Sequence, residues 1–283
     1  MKSVSYREEG KNATQTVDAD KVLSIDYTRM PKEVDEAETL VAEGDVVSAA
    51  GLLDLYLKGI LEGNSRETRY KWAPAYAAWR LVDLYLSGGN LDGVVNEADR
   101  LIKSFPDSRY VPYAYLAKAE AQRVSGKAPA AMATLTEFRS VIDSKTLTRR
   151  WSLEADLAEA LTDTNLKGQA KRDRLIELAS AAGTEFPTVR NRAQVAEGES
   201  YLEGQNKDFA SARKVFQRIA ESPRADRATL AGAYTGLGDC LFQEAVDLSK
   251  GSGDPTPTLE AALENYLRVV VVYKEQQRYV PKA

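Results

Sequence analysis

Histidine is absent from the 283-residue chain. That removes the commonest general base, the commonest zinc ligand and every Ser-His or Cys-His nucleophile pair. The single cysteine, Cys240, can make no intrachain disulfide and no thiolate metal cluster. Beside Leu241 and Phe242 it reads as an inert core residue. The 42 aspartates and glutamates could in principle supply the carboxylate pair of a glycosidase. None lies in a recognisable motif, so solvated helix faces are the simpler reading. The glycine-rich run Gly232–Gly238 (GAYTGLG) sits inside a helical stretch without a lysine partner, which favours close helix packing over phosphate binding. No P-loop, no GxGxxG after a strand, no HExxH and no GxSxG is present. The sequence therefore predicts no catalytic, cofactor-binding or metal-ligating residues. Aromatic side chains are the remaining candidates. Trp72, Tyr76 and Trp79 recur at i, i+4 and i+7, one face of a helix, and Tyr110, Tyr113 and Leu116 follow a comparable spacing. Such a face is either packing between helices or a surface offered to a partner.

The elements that must carry these rings are helices. From Pro31 onward, alanine-, leucine- and glutamate-rich stretches of helical length alternate with short breaks. One kind of break is centred on glycine: Glu43-Gly44-Asp45, Gly88-Gly89-Asn90, Ser125-Gly126-Lys127 and Gly204-Gln205-Asn206. The other is proline or polar punctuation at Phe105-Pro106-Asp107-Ser108, Phe186-Pro187 and Ser222-Pro223. The two kinds alternate, as stacked two-helix units require. Residues 1–30 differ. Val4–Tyr6, Thr14–Val17 and Val22–Tyr27 alternate with period two, with a glycine turn in Glu8–Asn12, so two or three short strands are expected there. Composition sets the outer bounds. Hydrophobic residues make up 43% and charged residues 28%, as in an ordinary folded protein, and no apolar run approaches the length needed to span a bilayer. A net charge of −4 supplies no basic field for a phosphate backbone, so nucleic acid is not an expected partner. The Asn12-Ala13-Thr14 sequon carries no weight.

The spacing resembles the tetratricopeptide repeat (TPR), whose helical pairs recur at about 34 residues. Between Ala78 and Pro106, Val82 stands where a small residue admits the facing helix, Tyr85 follows, Gly89 turns the chain and Pro106 closes the unit. Tyr234 precedes a Leu237-Gly238 pair. Gly198 precedes Tyr201, with Ala212 and Phe216 on the second helix. Ala37, Leu40, Gly44 and Ala49 mark a first unit, and Tyr115, Ala119, Gly126 and Ala131 a third. The stretch from Thr148 to Pro187 departs from the pattern by lacking the glycine turn, and the last unit carries an insertion, Asp247–Thr258, expected as a mobile loop.

The resemblance implies an all-α fold, a right-handed α-solenoid of about six hairpins over residues 31–283, with the short β-prone segment at 1–30. It implies a non-enzymatic scaffold that binds a protein or peptide on its concave face. Inner-helix positions carried over from the family are Tyr76, Trp79, Asp83, Tyr113, Glu120 and Arg123. A carboxylate-based enzyme acting on glycans and a purely structural spacer are the alternatives. The Phe-Pro-Asp-Ser-x-Tyr signature at 105–110 resembles TPR-like proteins of the bacterial envelope, which favours a bacterial cell envelope or periplasmic setting over the alternative, the cytoplasm. Arg109-Tyr110-Val111-Pro112 recurs as Arg278-Tyr279-Val280-Pro281, as though a further repeat begins there and the array is incomplete at its C-terminus.

Overall fold

The computed structural model describes residues 3–7, 13–18, 22, 25, 27, 29–63, 69–204, 207–223, 225–251, 253–274 and 279. Among these residues the fold is all-α apart from one hairpin. The strands β1 (Ser3–Arg7) and β2 (Thr14–Asp18) pair antiparallel with Tyr6 opposite Gln15, and the Tyr6 hydroxyl donates to Gln15 Oε1 at 2.6 Å. No third strand occurs among the described residues. Val22, Ile25 and Tyr27 are described and are not in a strand, while the rest of Val22–Tyr27 and the turn at Glu8–Asn12 lie outside the described residues.

Twelve helices follow among the described residues, beginning with three pairs: α1 (Lys32–Glu43) with α2 (Val46–Leu61), α3 (Ala73–Ser87) with α4 (Leu91–Ser104), and α5 (Val111–Val124) with α6 (Ala128–Lys145). Then come α7 (Arg149–Thr162) and α8 (Gly168–Ala182), followed by the pairs α9 (Pro187–Ser200) with α10 (Phe209–Ala220) and α11 (Arg227–Ser249) with α12 (Thr256–Val272). The punctuation read from the sequence has a local cause. Within the first three pairs the opening helix ends in a Schellman motif. Asp45, Asn90 and Lys127 donate their backbone N–H to Leu40, Tyr85 and Gln122, while the residue between sits at φ 89°, 72° and 74° in Gly44, Gly89 and Gly126. Only glycine adopts that left-handed conformation without strain. Asp45 and Asn90 then serve the next helix, accepting from the N–H groups of Ser48 and Gly93 as N-caps. Gly204 has the same positive φ, but Gln205 and Asn206 lie outside the described residues. Pro74, Pro112, Pro129, Pro187 and Pro257 each occupy a first helical turn, where the missing N–H has no partner to lose.

The chain divides into two compact units, one ending at Ala158 and one beginning at Glu159. In the first, each helix lies against its successor from α1 to α6, and α3 also touches α5. That second-neighbour contact is the mark of stacked hairpins, since each pair exposes an apolar face that only the next pair covers. The core runs continuously from Val34 and Ala37 through Leu53, Leu81, Leu101 and Phe138 to Ala155.

In the second unit α8 to α12 are stacked likewise, with α9 touching α11. Here the glycines expected to let helices approach do so. A β-carbon on Gly238 of α11 would lie 2.6 Å from the Tyr266 ring of α12, and one on Gly236 would lie 2.4 Å from the Phe216 ring of α10. The expected insertion at Asp247–Thr258 is narrower than its composition suggested: α11 continues through Ser249 and α12 begins at Thr256. Proline and threonine are unremarkable in a first turn, and only the residues between require a break. Of the repeated Arg278–Pro281 only Tyr279 is described; its carbonyl accepts from Thr235 Oγ1 at 3.0 Å, and its ring packs against the cluster of Ala231, Val269 and Tyr273.

Candidate functional site

The first-turn positions of α3, α5 and α7 converge in the first unit. In each, one or more rings stand at or near the start of the helix: Trp72 and Tyr76, Tyr110 and Tyr113, and Trp151. Because stacked pairs repeat their register, rings at equivalent positions become neighbours. Tyr27 stacks on Trp72, with centroids 3.5 Å apart and planes at 8°. Trp72 meets Tyr76 edge-on at 5.7 Å, and Tyr76 meets Tyr110 at 6.1 Å. Trp79 lies parallel to Tyr110 at 6.3 Å and tilted to Tyr113 at 5.4 Å, and Tyr113 meets Trp151 edge-on at 4.8 Å. Seven rings thus form an unbroken row. Offset and edge-to-face geometries of this kind hold rings in fixed rotamers.

The expected site residues fall into two sets. Tyr76, Trp79 and Tyr113 belong to the row and are half-buried. Trp79 therefore packs on the core while its ring is held between Tyr110 and Tyr113. Asp83, Glu120 and Arg123 lie further along the same helices, bound in ion pairs. Arg80 donates through Nε (2.9 Å) and Nη2 (3.1 Å) to the two oxygens of Glu38 on α1, and its Nη1 donates to Asp83. Arg123 clamps Glu120 in a bidentate pair at 2.8 Å in both bonds. The Tyr76 hydroxyl donates to Glu38 Oε1 at 2.6 Å, which ties the ring row to the ion-pair network.

Burial, and then the hydrogen bond to the Glu38 carboxylate, push the Tyr76 phenol above its ordinary range. Burial also raises Tyr110, with the hydroxyl of Tyr27 at 3.3 Å adding to the effect. Both phenols are neutral at physiological pH and act as hydrogen-bonding apolar surface. Among the described residues, no group of three or more Cys, Asp and Glu is placed to hold a metal ion, and no helix is long and apolar enough to cross a membrane.

Sequence reasoning did not find Tyr27, Glu38, Arg80 or Trp151. Trp151 carried a usable signal, since Arg149-Arg150-Trp151 opens α7 as Tyr110–Tyr113 opens α5. Glu38 and Arg80 carried none, because their pairing joins two helices 42 residues apart. At Tyr113 and Trp151 the row borders a cavity lined by Val22, the α4–α5 connection, the end of α6 with the segment after it, and the start of α7. No protein-family model, no curated protein and no solved structure matches the chain.

Proposed function

We propose that the chain is a non-enzymatic interaction scaffold of the tetratricopeptide-repeat type, which takes a protein or peptide partner on the inner face of α3, α5 and α7. The observation that carries this reading is the aromatic row. Tyr110 and Trp151 are buried and hold the other five rings, which are half-buried. Such rings with locked rotamers offer large contact area at little entropic cost on binding, which is why tyrosine and tryptophan dominate binding hot spots. The ion pairs Glu38–Arg80–Asp83 and Glu120–Arg123 flank the rings and provide a polar rim to an apolar centre. The Phe105–Tyr110 signature supports a meeting with that partner in the bacterial cell envelope.

The test is Trp79→Ala, with Val47→Ser on the exposed side of α2 as control, assayed by affinity capture from the source organism and by thermal unfolding. A hot-spot ring contributes about 2 kcal/mol or more to binding, so the variant should lose roughly thirtyfold in affinity. A tryptophan that is only core would instead cost about 3–5 kcal/mol of stability. A Trp79→Ala protein that melts early yet captures its partner normally in the cold would overturn the proposal.

A further inference from the structure

The cavity at the end of the aromatic row has a volume of about 350 Å³. That is near the lower limit of ligand sites, enough for one large side chain and too small for a helix. Its apolar walls are Val111, Pro112, Val141 and Leu147, together with the rings of Tyr113 and Trp151. Val22, Pro106 and Ser108 also line it, and its charged groups are three cations, Arg109, Lys145 and Arg150, and one carboxylate, Asp107. Lys145 is already spoken for: it pairs with Asp107 Oδ1 at 2.8 Å and donates to the Pro106 carbonyl. The two arginines are not. Arg150 lies 5.8 Å from the Tyr113 ring centre and 4.9 Å from that of Trp151. Arg109 lies 5.3 Å from the Tyr110 ring centre, and its Nη1 is buried with no hydrogen-bond partner among the described residues. Neither arginine has a carboxylate partner among them.

Two uncompensated guanidiniums on one apolar cavity run against the charge of the chain, which is −4 overall. The positive ends of α5 and α7 open on the same space and add to the local field. A guanidinium stacked over a ring leaves its N–H edge free for a planar acceptor, and that edge matches a carboxylate in two parallel bonds. A buried N–H without an acceptor is costly, so the site gains from any ligand that supplies one.

We propose that this cavity recognises an acidic–apolar peptide motif of the partner. One bulky apolar side chain enters between Val141, Leu147 and Trp151, and adjoining Asp or Glu carboxylates are held by Arg109 and Arg150. The proposal rests on the reading of the first unit as a partner-binding face, and names the chemistry of its anchor. The apolar pocket supplies area and the two arginines supply selection, since a basic or neutral flank leaves both guanidiniums desolvated and unpaired.

The experiment titrates the full chain with three tripeptides blocked at both ends, Glu-Phe-Glu, Gln-Phe-Gln and Glu-Ser-Glu, following the Trp151 indole N–H resonance and binding heat. Phenylacetate and inorganic phosphate form separate arms. Glu-Phe-Glu should bind about tenfold or more tighter than the other two peptides, and Arg150→Gln or Arg109→Gln should each remove most of that margin. Leu147→Trp, which keeps every charge and fills the cavity, should abolish binding in a folded protein, so the proposal stays testable if an arginine variant fails to fold. Equal binding of the three peptides, or tight binding undisturbed by Leu147→Trp, would overturn it. So would phenylacetate binding as tightly as Glu-Phe-Glu, or phosphate displacing the peptide. Partner capture lost in Trp79→Ala but intact in Arg150→Gln and Leu147→Trp would sink the cavity proposal and leave the scaffold reading standing.

Discussion

Replacing Gly236 with alanine sets two opposed effects against each other, and the geometry around Phe216 decides between them. Gly236 lies inside α11, where alanine is favoured over glycine by about 1 kcal/mol. The added β-carbon would stand 2.4 Å from Cε2 and Cζ of Phe216, where carbon–carbon contacts optimise near ~3.5–4.0 Å. The ring must therefore retreat by about 1 Å to restore a normal contact. It cannot retreat freely, because its other edge faces Gly198 of α9, where a β-carbon would lie 2.5 Å from Cε1. Phe216 is 0% exposed and belongs to the core that joins α9, α10 and α11. Overpacking of this kind costs about 1–3 kcal/mol, and expulsion of the ring about 3–5. With the ring wedged on both edges, the upper end of the overpacking range applies, and after the helix-propensity gain a net loss of about 2 kcal/mol is expected if the ring stays and about 2–4 kcal/mol if it leaves. All three tryptophans lie in the first unit, so amide hydrogen exchange across α9–α11 is the appropriate assay. The double variant Gly236→Ala, Phe216→Leu should be less destabilised than the sum of the two single changes, because the smaller side chain frees the space. A Gly236→Ala protein as protected as the parent, or strict additivity in the double variant, would refute the reasoning.

Two further outcomes follow from the same geometry. Asn90→Ala removes the side chain that caps α4 and should cost about 1 kcal/mol, measured by urea unfolding followed through tryptophan fluorescence. The protein should lose stability at both pH extremes. Burial pushes the Cys240 thiol up to about 11, so the folded state holds its proton longer than the unfolded chain. That contribution is intact below pH 9 and is lost as pH rises towards about 11. Asp45 and Asp208 are held below the ordinary carboxylate value by accepting from Ser48 and Ser211, so their contribution is intact above that value and is lost as pH falls through and below it. Circular dichroism melts across pH, with alkylation of Cys240 in the native state near pH 8, check both: fast alkylation of the folded protein would contradict the burial.

What was legible beforehand is what local stereochemistry dictates. Gly44, Gly89 and Gly126 announced their turns because the left-handed conformation excludes other residues, and Asp45 and Asn90 announced the next helix because a short side-chain oxygen reaches the third N–H. The count of about six hairpins needed the resemblance to the repeat family as well, because Thr148–Pro187 lacks the glycine turn. The period of 3.6 likewise placed Trp72, Tyr76 and Trp79 on one face. Periodicity names a face but not the residue on another helix that meets it. The stacking of Tyr27 on Trp72, the arrival of Trp151 against Tyr113, the Glu38–Arg80 clamp and the seating of Phe216 between Gly198 and Gly236 were decided only by packing. The division after Ala158 falls inside α7, where no glycine or proline marks it. The cavity belongs to the same class: Arg109, Lys145 and Arg150 are ordinary surface cations in the linear chain, and only the closing of three helix ends around one space leaves two of them without a carboxylate.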